Sequence, residues 1–160
     1  MTDQADALAL DEGLFLHIGG QPQWVTIRGR DPSNPVLMIV TGAGAAFSPL
    51  APVFAPWEAP FTLVQWDQPR AGATLAKTPH DPRPFTYDRL ATDGVAVAEQ
   101  VCARLRVDRL ALFATSGGTV TAMHMLRARP ELFSVYVGNG QVTHWARQEA
   151  LAYRMILDRA

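Results

Sequence analysis

The sequence predicts an α/β domain: a mostly parallel sheet of about six strands that opens with an antiparallel hairpin and carries helices on both faces. Three observations lead there. Two alternating, β-branched segments flank a glycine-rich turn near the N-terminal end. Short continuous apolar runs then recur along the chain, of the kind found in strands buried on both faces. Helical periodicity fills the later intervals, and strands alternating with helices imply a parallel sheet with crossover connections.

Taken in order, Leu14–Ile18 and Gln23–Arg28 flank Gly19-Gly20-Gln21-Pro22 and read as the hairpin. The turn cluster Asp31-Pro32-Ser33-Asn34-Pro35 leads into VLMIV at 36–40. Further buried strands are expected at Phe61–Trp66, Leu110–Ala114 and Phe133–Val137. From Thr86, an N-cap residue type, Leu90, Gly94, Val97, Val101 and Leu105 recur at steps of four and three, which sets one apolar stripe on one helix face. A second helix spans 119–129 and is stopped by Pro130, and a third spans 145–159. The proline-rich stretch 77–84 reads as a surface loop, and no repeat or linker divides the chain, so residues 1–160 are expected to form a single domain.

With 48% apolar and 18% charged residues among 160, the composition is that of a soluble globular protein rather than a disordered chain or coiled coil. Fourteen basic against fifteen acidic residues give a net charge of −1, which argues against nucleic acid as a partner. Cys102 is the single cysteine and no Cys/His spacing suits zinc, so neither a metal nor another cofactor is expected. The opening MTDQADALALDEG is acidic, unlike a signal peptide, which points to the cytoplasm. The strongest apolar run, Val36 to Val40, falls far short of the ~18 residues that a membrane span requires.

Chemistry concentrates at two places. In LALFATSGGTV, Leu110 to Val120, a strand runs into Ser116 and a helix begins at once. Such an elbow exposes a serine Oγ at the strand's C-terminal edge and aims the following amide at a developing oxyanion. The same letters also fit a serine that merely caps a helix ahead of two turn glycines. The second place is Thr41-Gly42-Ala43-Gly44-Ala45-Ala46, where small residues let a ligand approach backbone N–H groups. It suits either an oxyanion hole or a dinucleotide-binding turn, with Gly42-x-Gly44 at the phosphates and Asp67 on a ribose. Against the dinucleotide reading, Phe47 occupies the third glycine position, and Pro49, Pro52 and Pro56 crowd the crossover.

These residues carry a resemblance. From about Trp24 to Ala160 the chain resembles the N-terminal part of an α/β-hydrolase of the proline iminopeptidase-like group. That group's HGGPG loop corresponds to Thr41-Gly42-Ala43-Gly44-Ala45, its WDQRGAG-like segment to Trp66-Asp67-Gln68-Pro69-Arg70-Ala71-Gly72, and its GxSWG elbow to Ala114-Thr115-Ser116-Gly117-Gly118. The resemblance implies a serine peptidase or esterase acting on a small peptide or ester. Ser116 would be its nucleophile, the amides of Gly117 and Ala43 its oxyanion hole, and Glu149 a partner for a substrate α-amino group. The departures are Thr41 for histidine, Ala43 and Ala45 for glycines, Pro69-Arg70 for Arg-Gly, and Gly117 for tryptophan. The alanines fit only if their φ angles are negative.

Serine requires a base, and the base an orienting carboxylate, in this fold in the order Ser, Asp or Glu, His. His124 falls eight residues into the elbow helix, about 12 Å along its axis from Ser116, and is excluded. His144 remains as a candidate base, but the only later carboxylates, Glu149 and Asp158, share its helix. His17 and His80 lie in the hairpin and the proline-rich loop. Strand-helix units bearing an acid and a histidine, together with the cap, would take on the order of 100 further residues. The chain is therefore expected to stop at the start of the family's cap, with impaired activity and an unpaired sixth strand open to a second copy or another chain. The alternative is a non-catalytic module that binds a small ligand or a partner.

Overall fold

The computed structural model describes residues 9–159. Six strands form one sheet: β1 (Leu10–Ile18), β2 (Gln21–Gly29), β3 (Val36–Val40), β4 (Thr62–Trp66), β5 (Leu110–Thr115) and β6 (Phe133–Asn139), in the spatial order β1-β2-β4-β3-β5-β6. The hairpin pairs antiparallel through its whole length, and β2 joins β4 antiparallel through Val25–Arg28. The four strands β4, β3, β5 and β6 are mutually parallel. The expected architecture is thus present, with a tighter turn than the sequence suggested. Gly19 (φ 55°) and Gly20 (φ 82°) alone form a two-residue turn whose positive φ angles suit the strand twist, and Gln21 and Pro22 already belong to β2.

β3 and β4 are buried at every position, β3 as a continuous apolar run and β4 with Thr62 and Gln65 among its buried residues. On one face Val36, Met38, Val40, Val64, Trp66 and Leu112 pack with the long helix α3 (Tyr87–Leu105) and with α4 (Gly118–Ala128). The numbering of these two follows α1 (Ala51–Phe54) and α2 (Gly72–Lys77). Thr86 caps α3 by accepting from the Arg89 amide at 3.2 Å, and Leu90, Val97 and Val101 of its stripe are buried. Gly94 marks the closest approach of the layers: a Cβ there would lie 2.8 Å from Met125 Sδ and 3.3 Å from Trp66 Cζ3. Cys102 is buried on α3, and burial, reinforced by Asp108, pushes its thiol upward.

The opposite face is covered by the crossover between β3 and β4. It is a chain of single turns, Ser48–Leu50, α1 and Ala55–Glu58, each with a proline at its start. Pro49, Pro52 and Pro56 therefore sit where the missing N–H costs nothing, rather than interrupting one long helix. Phe47, Phe54, Trp57 and Phe113 stack in succession with ring centroids 5.2 to 5.5 Å apart. No described helix is long and apolar enough to cross a membrane.

A buried polar chain ties the hairpin to α3. Trp66 Nε1 donates to Gln23 Oε1 at 2.8 Å, and Gln23 Nε2 donates to Asp93 Oδ2 at 2.8 Å. Arg89 pairs with Asp93 at 3.6 Å and with Asp81, and Arg83 pairs with Asp81 at 3.0 Å. At the other end of the sheet β6 is an edge, with Val135 and Val137 about half exposed. The final helix α5 (Trp145–Leu157) buries none of its residues. The expected unpaired sixth strand is thus what the described residues show.

Trp66→Phe is expected to strand the buried Gln23 oxygen and cost about 1–3 kcal/mol, read as a lowered urea midpoint with unchanged slope. Burial acts to raise the Asp81 carboxyl, but hydrogen bonds from Arg83 and Arg89 outweigh it and hold the group below the usual carboxylate range. Its stabilising contribution is present above the unfolded value near 3.8 and is lost as pH falls further. Asp81→Asn should therefore lower the melting midpoint at pH 7, and the gap to wild type should close as melts are repeated below pH 4.

Candidate active site

Ser116 leaves β5 with φ 55°, a left-handed backbone that costs a non-glycine residue roughly 1–2 kcal/mol. The strain is held from both sides. The Ser116 amide donates to Asn139 O of β6 at 2.9 Å, while its carbonyl accepts from Thr119 N at 3.0 Å and Thr119 Oγ1 at 2.6 Å. The cap residue of α4 is Gly117, and no side chain accepts from the first amides of that helix. The capping reading of Ser116 is thereby removed. The hydroxyl is not spent on the helix, and the turn has the geometry of an elbow.

Gly118 brings the second loop to the first. A Cβ at 118 would lie 2.4 Å from Thr41 O and 2.6 Å from Val40 O, so α4 begins in contact with the end of β3. The corresponding point on Gly117 is 3.7 Å from Gly42 Cα and 3.9 Å from Ala43 N. Among the described residues, the amides of Ala43 and Gly117 donate to no protein group. The loop itself is clamped by Gln68, which is 1% exposed. Its Oε1 accepts from Gly44 N at 3.0 Å and its Nε2 donates to Thr41 O at 3.1 Å. Gly44 has φ 72°, whereas Ala43 and Ala45 do not have positive φ, so the alanines replace glycine only where a Cβ is tolerated.

Asp67 is fully buried. Its carboxylate accepts from Ser48 N at 3.2 Å, Ser48 Oγ at 2.8 Å and Ala73 N at 2.9 Å. The dinucleotide reading of Gly42-x-Gly44 with Asp67 is corrected on this point. The carboxylate is consumed in tying the crossover to α2, and no extended helix follows Gly44 on which a pyrophosphate could rest. Arg70, where the resembling group has glycine, is left-handed at φ 67°. Its guanidinium donates to Arg83 O at 3.0 Å and lies 5.3 Å from the Phe85 ring centroid.

None of the other candidates bonds to the elbow among the described residues. His144 caps α5, its Nδ1 accepting from Arg147 N at 3.2 Å. His124 pairs with Asp88 at 2.9 Å across the α3–α4 contact. Glu149 is exposed on α5. Neither Asp158 nor any histidine hydrogen-bonds Ser116 among the described residues. Tyr87, which the sequence reading passed over, places its hydroxyl 3.4 Å from the Gly117 Cβ point. Its one signal was its place beside the cap of α3.

A strand-elbow-helix with an adjoining small-residue loop, at the C-terminal edge of a parallel sheet, defines the α/β-hydrolase fold. Within that fold the chain is similar to the N-terminal part of proteins of the proline iminopeptidase-like group. It is 30% identical over 145 residues to the probable aminopeptidase YbaC of Bacillus subtilis (strain 168), covering 88% of this chain and 45% of that protein. The crystal structure of a proline iminopeptidase-related protein from Thermus thermophilus superposes with a TM-score of 0.66 at 29% identity, over 80% of this chain and 44% of the other. An epoxide hydrolase from Vigna radiata shares the fold with a TM-score of 0.61 at 18% identity, over 88% of this chain and 46% of its own. No protein-family model matches. The chain thus spans less than half the length of the relatives it matches.

Gly118→Ala is expected to force the β3 and α4 backbones apart and cost about 1–3 kcal/mol. The effect is to be measured as a lowered thermal midpoint.

Proposed function

We propose that the chain carries the nucleophile and oxyanion-hole portion of a serine hydrolase acting on small peptides or esters. The observation that supports this most is the left-handed Ser116, whose hydroxyl is uncommitted and whose following residue lies against the Ala43 amide. In this reading Ser116 Oγ attacks the substrate carbonyl carbon. The carbonyl π pair moves onto oxygen, where the Gly117 and Ala43 amides receive the charge. The hydroxyl proton passes to solvent, because no protein acceptor contacts Ser116 among the described residues and His144 is committed to its helix. The chain alone is therefore expected to react slowly, through its oxyanion hole, rather than to turn over at an enzyme's rate. Glu149 is assigned to a substrate amine on resemblance only. The single cysteine, which leaves this chain without an internal disulfide, supports a cytoplasmic setting.

A fluorophosphonate probe tests the assignment. Oγ bonds to phosphorus, fluoride leaves, and the proton passes to solvent. Slow stoichiometric labelling of wild type and none of Ser116→Ala is expected. Unlabelled wild type, or equal labelling of the variant, would refute it.

A second reading is favoured by the open β6 edge and the unburied α5: a non-catalytic module that pairs through this face with a second copy or another chain. Size-exclusion chromatography with light scattering should then show self-association or concentration-dependent mass. A monodisperse monomer across the accessible concentrations would count against the self-pairing form.

A further inference from the structure

Two loops and a helix start converge at one point beside Ser116. Where Gly117 would bear a Cβ, Tyr87 Oη is 3.4 Å away, Gly42 Cα 3.7 Å and Ala43 N 3.9 Å. Any residue larger than alanine at 117 would fill the space in front of that hydroxyl. Glycine leaves that space open between the hydroxyl and the Gly42–Ala43 backbone.

Tyr87 is also held firmly. It is the first residue of α3, directly after the Thr86 cap. Its neighbour Asp88 binds His124 of α4 at 2.9 Å, and Arg89 is paired with Asp81 and Asp93. The start of α3 is thus fastened to the elbow helix on one side and to the 79–85 loop on the other. The ring is half-buried, and its hydroxyl has no hydrogen-bond partner among the described residues. The Tyr87 hydroxyl and the Ala43 amide nitrogen thus lie within 4 Å of one point beside Gly117.

We infer that the Tyr87 hydroxyl is a third donor of the site, contacting the acyl oxygen of a bound ester or peptide beside the two backbone amides. The inference rests on the Ser116 reading above. A phenol donor there adds charge stabilisation as the oxygen becomes anionic, and it needs no reorientation because its helix is already fixed.

The test is the rate of fluorophosphonate labelling against probe concentration for wild type, Tyr87→Phe and Ser116→Ala, with thermal midpoints measured in parallel. Phenylalanine keeps the ring and removes only the donor. A Tyr87→Phe maximal labelling rate lower by about tenfold, with an unchanged half-saturating concentration and thermal midpoint, is the expected result. Equal rates in Tyr87→Phe and wild type overturn the Tyr87 assignment while leaving Ser116 in place. A fall in rate matched by a fall in thermal midpoint assigns the effect to packing and overturns it too. Wild type that fails to label overturns the Ser116 reading and this inference with it.

Discussion

The site depends on one close approach, that of Gly118 to the carbonyls of Val40 and Thr41. β3 and β5 are parallel neighbours paired from Leu37↔Ala111 to Val40↔Ala114, so their C-terminal ends reach the same edge of the sheet together. The chain leaving β5 must turn immediately into a helix packed over β3. With the carbonyls already within van der Waals reach, no side chain fits at 118. The turn ahead of it is forced into the left-handed conformation that Ser116 adopts. The exposed serine and the neighbouring loop are two results of the same packing contact rather than two separate devices.

What keeps the surface loops rigid is buried polarity. Asp67 and Gln68 are adjacent in sequence, yet they serve different loops. Asp67 binds Ser48 and the start of α2, and Gln68 binds both ends of the turn at Thr41–Gly44. Thr74 completes the arrangement by donating to Asp67 O at 2.6 Å and accepting from Trp24 N at 2.8 Å. Each side chain satisfies groups that would otherwise be costly to bury, so the loop's shape is set by hydrogen bonds that do not involve its own small side chains.

The sheet was legible because strands buried on both faces are written mostly in apolar residues, without a break at Val36–Val40 and with Thr62 and Gln65 as the polar members of Thr62–Trp66. The elbow was legible as letters, but its competing capping reading was not decidable. Both readings use a serine before two glycines, and only the sign of φ and the fate of the hydroxyl separate them. The tolerance for Ala43 and Ala45 was hidden for the same reason, since side-chain identity does not report φ unless glycine is required. The α2 helix, six residues long, has too few turns to show a period. Thr86 marked the start of the long helix, but nothing in the spacing could show that the next residue, Tyr87, comes close to the distant Gly117.

The strand order has a kinetic consequence. The hairpin closes over a two-residue turn, whereas β3 must find β5 across the whole crossover, β4, α2 and α3 before Leu37 meets Ala111. Closing so long a loop is entropically slow, and local pairs form without it. A partly folded chain can therefore hold its hairpin and helices while having no elbow contact at all. Under the proposed assignment, labelling of Ser116 would report the moment at which β3 and β5 have paired.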